Sequence, residues 1–329
     1  MGKEFSALVL NEASGKVQTA IQDLDESELP EGEVVVRVEY SDVNYKDGLV
    51  VAGLGKLVRN YPHVPGIDFA GIVESSTDER YSSGDRVVLT GWGVGERHWG
   101  GYAGKARVKA DWLVPLPEAL STRQAMVVGT AGFTAMLCVM ALEEQGLEAG
   151  TGEVLVTGAA GGVGSIAIAL LAELGHRVVA STGRPENEGF LRDLGAAEIL
   201  PREALSGPSE RPLEKGRWSG AVDTVGGAVL SRLLLQLAPG GTVAACGNAG
   251  GIKLETNVLP FILRGVKLVG IDSVSVPYER RVKAWGRLAQ SLKTKVFESV
   301  ADEVPLDNAV EACARILKGE IRGRTIIRL

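Results

Sequence analysis

The sequence predicts an α/β protein with two lobes, one mostly β and one built on a doubly wound parallel sheet. Three observations support this fold class. The first ~120 residues combine short β-branched runs with long stretches rich in glycine, proline and asparagine. From about residue 122 onward, strand-like and helical segments alternate, as in the crossover units of a parallel sheet. The length of 329 residues is also more than one hydrophobic core usually supports.

The first lobe has the turn-rich character of a small β domain. The β-branched runs EVVVRVEY and DRVVLT predict short strands. The segments between such runs, including DVNYKDG, NYPHVPGIDFAG and TGWGVGERHWGGYAG, predict turns and long loops. We place this lobe at residues 1–121.

The second lobe begins with a helix for which Ser121 is the predicted N-cap. Beyond this helix, strand-like runs alternate with helical segments, and the runs are EVLVTG, RVVAST, AAEILP, GAVDTVG, GTVAACG and VKLVGIDS. About six parallel strands fit a doubly wound nucleotide-binding sheet, which we place at residues 122–273. The tail, residues 274–329, contains two helical segments and a last strand, RTIIRL, and we expect it to return to the first lobe.

Charge and cysteine content argue against several classes of partner and of metal site. A net charge of −6 argues against nucleic acid or an anionic membrane as the main partner. Cys138, Cys246 and Cys313 show no C-x-x-C spacing, which argues against disulfide frameworks and structural zinc and fits a reducing compartment. The N-terminal stretch has no signal-peptide pattern, and the apolar run SIAIALLAEL is too short to span a bilayer. We therefore expect a cytoplasmic protein.

The segment VLVTGAAGGVGS places a glycine-rich turn between a strand and a helix. Gly161 and Gly164 match the second and third glycines of the dinucleotide-binding pattern, and Ala159 replaces the first. Backbone N–H groups of such a turn approach a pyrophosphate, and the helix N-terminus adds partial positive charge. A tight strand-to-helix connection without a ligand is the alternative interpretation. A second strand about twenty residues later favours the nucleotide site.

The second strand of this lobe, RVVAST, ends without the acid that would hold the ribose hydroxyls of NAD. No Asp or Glu occurs between residues 175 and 185. Ser181 and Thr182 offer hydroxyls instead, and Arg184 offers a planar guanidinium suited to phosphate oxygens. Arg202, after the next strand, is a candidate for the same place. These residue types favour NADPH over NADH, and a solvated loop arginine at position 184 is the alternative.

A series of short motifs also occurs in a recognisable order along the chain: NYKDGL, PGIDFAG, GDRV, GGYA, GTAGFTA, VTGAAGGVG, DTVGG, GNAGG and GRT. In this order they resemble the zinc-free branch of the medium-chain dehydrogenase/reductase superfamily. Within that branch, GWGVGERHWGGYA and LPFILRGVKLVGIDSV resemble the acrylyl-CoA reductase subgroup, which is often grouped with quinone oxidoreductases. The resemblance covers nearly the whole chain.

The resemblance implies a GroES-like catalytic lobe formed by the first lobe and the tail, a Rossmann lobe between them, and a cofactor cleft at their junction. It implies NADPH-dependent reduction of the 2,3-double bond of acrylyl-CoA to propionyl-CoA, and a homodimer paired through the apolar edge strand near VKLVGIDSV. By similarity, the cofactor contacts are Tyr45, Thr130, Ala160, Gly161, Gly162, Val163, Ser181, Thr182, Gly183, Arg184, Arg202, Asn248, Ile262 and Ser273.

The residues argue against a catalytic zinc ion. Zinc alcohol dehydrogenases carry a Gly-His-Glu ligand motif where this sequence has PGIDFAG, with Ile67 and Asp68. No cysteine accompanies His63 or His98 in sequence, and His176 opens a strand. We therefore expect hydride transfer without a Lewis acid.

Tyr45 is the candidate catalytic residue beside the nicotinamide. A tyrosine hydroxyl is an adequate acid but a poor base near neutral pH, so Tyr45 either positions the ring or helps to deliver the proton, and water is the alternative donor. Asn44 and Asp47 are candidate neighbours, and for Asp47 we favour a capping role in the following turn. The basic residues available for the CoA phosphates are Lys46, Lys56, Arg59, Arg322 and Arg324.

Two other functions use the same cofactor lobe. An NADPH:quinone reductase would need a flatter apolar pocket, and a non-catalytic NADPH-binding protein would bind the nucleotide without turnover. Following NADPH absorbance with acrylyl-CoA and with a soluble quinone in parallel separates the three functions.

Overall fold

A computed structural model describes residues 4–207, 209 and 211–329. The chain divides into two compact units, and the first unit extends to Thr130 and also includes Ser273–Gln290 and Phe297–Leu329. The second unit consists of Ala131–Asp272 and Ser291–Val296. The first division therefore lies later than the boundary that we placed after Ser121. The physical reason is a break at Gly129 within the helix that opens at Thr122.

Fifteen strands form in the described chain. They are β1 (Glu4–Ala13), β2 (Lys16–Asp25), β3 (Val34–Asp42), β4 (Asp68–Ser76), β5 (Arg86–Thr90), β6 (Lys105–Val108), β7 (Leu113–Pro115), β8 (Glu153–Val156), β9 (Arg177–Thr182), β10 (Ala196–Pro201), β11 (Trp218–Asp223), β12 (Leu237–Ala245), β13 (Lys267–Gly270), β14 (Ala301–Pro305) and β15 (Arg324–Arg328).

The α-helices of the described chain are α1 (Tyr45–Val51), α2 (Thr122–Glu144), α3 (Gly162–Glu173), α4 (Glu188–Asp193), α5 (Gly227–Gln236), α6 (Leu259–Arg264), α7 (Tyr278–Ser291), α8 (Thr294–Ser299) and α9 (Ala309–Leu317). Short 3-10 turns lie at Glu26–Glu28, Ala110–Trp112, Pro185–Asn187, Arg202–Leu205 and Leu306–Asn308.

The first unit is organised around a sheet with the strand order β14-β15-β3-β4-β5-β7, to which β6 adds by pairing with β3. The β1–β2 hairpin forms a separate antiparallel pair. The tail of the chain belongs to this unit because β15 pairs antiparallel with β3. Alternate residues of β3 and β4, such as Val36 and Phe69, are fully buried in one core cluster, as expected for strands with one face on a core.

The second unit contains a six-stranded sheet in the order β10-β9-β8-β11-β12-β13, and every pairing in it is parallel. Counted from β8, this is the doubly wound order 3-2-1-4-5-6, in which ligands bind beyond the carboxyl ends of the strands. The central strands β8 and β11 bury Val154, Leu155, Val156, Ala221 and Val222, as expected for the inner strands of a parallel sheet. The predicted α/β class with a doubly wound parallel sheet is confirmed.

Helix α2 begins where the sequence predicted. The Ser121 hydroxyl accepts a hydrogen bond from the Gln124 N–H at 3.1 Å, and the Gln124 side chain accepts from the Ser121 N–H at 2.9 Å. This reciprocal pair is a capping box. Within the described chain, α2 is the one helix with the length and hydropathy of a membrane span, but 94% of its apolar window is buried. It is therefore a core helix.

Candidate active site

The glycine-rich turn of the second unit connects β8 to α3. Gly161 is the N-cap of α3, and Gly158 has a φ of 57°, in the left-handed region that favours glycine. A Cβ on Gly164 would lie 2.5 Å from the Gly158 carbonyl oxygen, so only glycine lets the helix pack against the turn. The first amides of a helix have no intrahelical acceptor and face outward, as a bound pyrophosphate requires. The turn therefore fits a dinucleotide.

The end of β9 brings hydroxyl and guanidinium groups to one place. Ser181 and Thr182 are buried at the end of the strand, and the Thr182 hydroxyl accepts the Arg184 N–H at 3.1 Å. Arg202 arrives from the end of β10, which pairs with β9. A Cβ on Gly183 would meet the Arg202 guanidinium carbon at 2.7 Å, so the arginine packs directly over this glycine. Arg202 therefore lies at the end of β9, where NAD-binding folds place an acid, and Arg184 is close to it in the chain.

The loops after β12 and β13 form a cleft of about 610 Å³ at the carboxyl edge of the sheet. Asn248 lines it together with residues 245–247 and 270–272. Ile262 is not one of the described residues that line this cleft. It lies on α6 and is 68% exposed. Ser273 follows directly in the chain and belongs to the first unit, where its carbonyl oxygen accepts a hydrogen bond from Arg281 at 3.4 Å.

In the first unit, α1 begins at Tyr45, whose side chain is 49% exposed. Asn44 precedes the helix, and its N–H donates to the Asp47 carboxylate at 2.9 Å. The other Asp47 oxygen accepts the Ile67 N–H at 2.9 Å. Asp47 therefore caps the helix, as the sequence indicated, and also ties it to the segment before β4. The tyrosine is held at a fixed helix start.

A group of buried polar residues lies beneath Tyr45. Three aspartates from different segments meet here, because the Asn44 side-chain amide donates to Asp42 at 2.5 Å and to Asp68 at 3.2 Å. Arg324, from β15, forms a fully buried ion pair with Asp42. We call Asp42, Asn44, Asp47, Asp68 and Arg324 the carboxylate cluster. One guanidinium faces three carboxyl groups in it.

Burial changes the protonation of this cluster. The pKa of Asp42 lies above its ordinary value because burial disfavours its charged form; the Arg324 guanidinium opposes this shift, and the charge of Asp68 adds to it. Burial also raises the pKa of Asp47 to about 7, again with a contribution from Asp68, whereas its two backbone hydrogen bonds lower it. Since one guanidinium balances only one carboxylate, burial and the neighbouring charge both favour the protonated form of Asp47, whose pKa they raise.

The carboxylate cluster also explains the break in α2. Gly129 has a φ of 51°, and a Cβ there would overlap the Asp42 carboxylate. On either side of the break, Arg324 donates to the Val127 carbonyl oxygen at 3.1 Å, and Asp68 accepts the Thr130 N–H at 2.6 Å. The backbone groups beside the break are thus hydrogen-bonded to charged side chains. One cluster fixes the chain at Tyr45 and at Thr130, two of the candidate cofactor residues.

The described residues contain no group of three or more His, Cys, Asp or Glu side chains arranged to hold a metal ion. Ile67 and Asp68, at which we expected no zinc ligand, take part in hydrogen bonds. The Asp68 oxygens accept hydrogen bonds from Asn44 and Thr130, and the Ile67 N–H donates to Asp47.

Comparison with known proteins shows a family match in each of the two units. Residues 30–118 match the alcohol dehydrogenase GroES-like domain, and residues 162–293 match the domain described as zinc-binding dehydrogenase. A Ruegeria pomeroyi protein named acrylyl-CoA reductase AcuI is 58% identical over 325 residues, which cover 98% of each chain. The chain belongs to the acrylyl-CoA reductase branch of the medium-chain dehydrogenase/reductase family. This confirms the predicted resemblance and the GroES-like part of the fold.

Further members of the family extend the comparison. An Escherichia coli protein named probable acrylyl-CoA reductase AcuI is 53% identical over 99% of this chain and all of its own length. The Salmonella enterica yhdH oxidoreductase, solved in complex with NADP, is 52% identical with a TM-score of 0.96, over 98% of this chain and 99% of that one. Bacillus subtilis yhfP, solved with NAD bound, is 44% identical with a TM-score of 0.97 over both full chains, and it carries the name putative quinone oxidoreductase.

Within this member of the family, the predicted cofactor residues fall into local groups. Ala160, Gly161, Gly162 and Val163 form the turn into α3; Ser181, Thr182, Gly183, Arg184 and Arg202 meet at the end of β9; Asn248 lines the cleft; and Tyr45 and Thr130 adjoin the carboxylate cluster. Their roles toward a cofactor stay predictions.

Of the basic residues that were candidates for the CoA phosphates, Arg324 is excluded by its burial. Arg324 is 2% exposed and paired with Asp42, so it is not available to a ligand phosphate. Lys46 is engaged with Glu96 at 3.0 Å. Asp42 was missed altogether, although an acid at the end of the β-branched run before NYKDGL was a signal for a buried polar group.

Proposed function

We propose that this protein reduces the 2,3-double bond of a short enoyl-CoA with NADPH, converting acrylyl-CoA to propionyl-CoA. The observation that carries this proposal is the 58% identity to a protein named acrylyl-CoA reductase over 98% of both chains. The dinucleotide turn and the tyrosine held at the start of α1 are consistent with hydride chemistry.

The charges at the end of β9 support NADPH as the cofactor. The Arg202 guanidinium lies against Gly183, Arg184 follows this glycine in the chain, and β9 carries no acid. NADPH supplies the hydride when bound. The α3 turn would hold its pyrophosphate, and Ser181, Thr182 and the two arginines would hold the 2′-phosphate. Because yhfP was solved with NAD, the direct test is the ratio of kcat/KM for NADPH to that for NADH.

The first unit would supply the substrate side of the reaction. Tyr45 is our candidate for positioning the reacting groups or for delivering the proton to the α-carbon, with water as the alternative donor. The Asn44–Asp47 contact holds the tyrosine in place. Lys56 and Arg59 are exposed and stay candidates for the CoA phosphates.

A quinone reductase is the second candidate function, because yhfP, at 44% identity, carries that name. Oxidation of NADPH is followed with acrylyl-CoA and with a soluble quinone. Turnover with the thioester alone supports our proposal, and turnover with the quinone alone supports the second function. Tight NADPH binding without turnover of either substrate would indicate a non-catalytic binding protein.

We further propose a homodimer paired through β13. This strand lies at the edge of the six-stranded sheet, and its Leu268 is 37% exposed. Ile262 and Leu263 on α6 are 68% and 65% exposed. An apolar free edge is an aggregation hazard that pairing with a second copy removes. Light scattering should give twice the mass of the chain, and Leu268→Lys should give the single chain; a monomeric wild type contradicts the proposal.

The cytoplasmic location, and the lack of nucleic-acid and membrane partners, are inferences from composition alone. Fractionation of cells that express the protein tests the first of them.

A further inference from the structure

Trp92 combines two features that each cost free energy. It follows β5 in the first unit, and its φ of 58° lies in the left-handed region that bulky side chains rarely adopt. Its indole Nε1 is buried and has no hydrogen-bond partner in the part of the chain that the structure describes. Such a donor has no acceptor among the described protein atoms and is available to a ligand oxygen. Proteins retain these features mainly where they serve binding or catalysis.

A buried arginine holds the indole in place. The Arg281 guanidinium carbon lies 4.7 Å from the centre of the Trp92 ring. Arg281 is 1% exposed. Its guanidinium donates to backbone carbonyl oxygens, and these belong to Thr90 (2.8 Å), Val274 (2.7 Å) and Val276 (3.0 Å). A cation over an indole face attracts the π electrons. This polarisation makes the indole N–H a stronger donor.

The loop that carries Trp92 contacts the helix that begins at Tyr45. Glu96 of this loop pairs with Lys46 at 3.0 Å, and Lys46 is the second residue of α1. Trp92 and the candidate catalytic tyrosine therefore lie on two neighbouring segments of the same unit. An N–H donor without a protein acceptor, in a loop that contacts this helix, indicates a hydrogen bond to a substrate oxygen.

We propose that Trp92 contacts the substrate and that its indole N–H donates to the carbonyl oxygen of the enoyl thioester. The inference rests on the proposed function. In that reaction the β-carbon accepts a hydride supplied by NADPH, and the electron pair of the C=C bond moves toward the carbonyl oxygen to give an enolate. The α-carbon then takes a proton and the carbonyl re-forms, which leaves NADP⁺ and the saturated thioester. A donor at this oxygen stabilises charge that develops in the transition state.

Access to Nε1 requires a local change in the loop, because the atom is covered in this structure. Residues 91–95 have the backbone freedom for such a change. Gly91, Gly93 and Gly95 all have positive φ angles, as Trp92 does.

The test compares Trp92→Phe with Trp99→Phe. The first variant keeps an aromatic ring over Arg281 and removes the N–H. Trp99 belongs to the same loop, but its Nε1 donates to the Pro62 carbonyl oxygen at 3.3 Å, so its variant removes a paired indole N–H. With acrylyl-CoA and saturating NADPH, we expect Trp92→Phe to lower kcat on the order of 100-fold, with KM and the NADPH Kd near wild type. Trp99→Phe should keep the wild-type kcat.

A Trp92→Phe enzyme with wild-type kcat overturns the inference while the proposed function stands. A loss confined to KM overturns it as well, because the donor would then lie away from the oxygen that gains charge. Thermal melting shows whether the variant folds, and Trp92→His, which keeps an N–H donor, should recover part of the lost kcat. A wild type that does not oxidise NADPH with acrylyl-CoA refutes the proposed function itself, which is a separate result.

Discussion

Replacing Asp47 with asparagine should change how the stability of the protein depends on pH. Asp47 is 0% exposed, and burial, with the charge of Asp68 adding to it, raises its pKa from 3.8 to about 7 in the folded protein. In the unfolded chain the carboxyl group loses its proton at about pH 4. Between these two values the unfolded state binds fewer protons than the folded state. The free energy of unfolding therefore falls as the pH rises through this window.

The size of the effect follows from the shift. Each pKa unit corresponds to about 1.4 kcal/mol, so a rise from 3.8 to about 7 lowers the free energy of unfolding by roughly 4 kcal/mol over the whole window. The same linkage relation gives roughly 2–3 kcal/mol between pH 5 and pH 8. Asparagine removes this dependence. It also loses one of the two acceptors that Asp47 offers to the N–H groups of Asn44 and Ile67, which costs about 1–3 kcal/mol at either pH.

The assay is urea unfolding of the wild type and Asp47→Asn at pH 5 and at pH 8. We expect the variant to be less stable than the wild type at pH 5, and we expect this difference to shift in favour of the variant by roughly 2–3 kcal/mol at pH 8. Asp85→Asn is the matched control, because Asp85 accepts the Ser82 N–H at 2.7 Å in the same local pattern but at the surface. Its difference from the wild type at each pH gives the cost of losing the same kind of hydrogen bond at the surface. If the Asp47→Asn difference is independent of pH, the reasoning about the carboxylate cluster is refuted.

Two further predictions concern the nucleotide site. Arg184→Ala and Arg202→Ala should each weaken NADPH binding by about 1.5–3 kcal/mol and leave NADH nearly unaffected in fluorescence titrations; equal losses for both coenzymes would argue against a 2′-phosphate contact. Gly164→Ala should lower the Tm and weaken both coenzymes, because its Cβ would lie 2.5 Å from the Gly158 carbonyl oxygen. Gly189→Ala, where the Cβ meets nothing within 4 Å on a helix, should instead stabilise by about 0.5–1 kcal/mol, and similar melting of the two variants would contradict this account.

The sequence could predict the parts of the site whose residues lie close together in the chain. The turn into α3 and the end of β9 are each read within about twenty residues, because strand, turn and helix follow one another there. The cap made by Asp47 is likewise local, since its partner Asn44 is three residues away. Even Arg202 could be placed beside Gly183, because neighbouring strands of a parallel sheet end at the same edge.

The carboxylate cluster could not be predicted in this way. Its members Asp42, Asp68 and Arg324 come from three strands that become neighbours only when the first-unit sheet forms. In the sequence, Arg324 is one of several basic residues in the last part of the chain. Its burial follows only from the tertiary fold. The break in α2 could not be predicted from the sequence either. The apolar pattern of this helix continues through Gly129, and the Asp42–Arg324 ion pair that lies against Gly129 comes from distant strands.

Ile67 and Asp68, in the PGIDFAG motif, connect two segments of the first unit. In this chain the Ile67 N–H holds the carboxylate that caps α1, and Asp68 accepts from Asn44 and from the Thr130 N–H beside the α2 break. The backbone and side chain at these positions thus orient the helix start that carries Tyr45 and the segment that carries Thr130. Loss of the Asp68 carboxylate would remove an acceptor from the side-chain amide of Asn44 and from the N–H of Thr130. The hydrogen bonds of this segment therefore couple the start of α1 to the chain beside the α2 break.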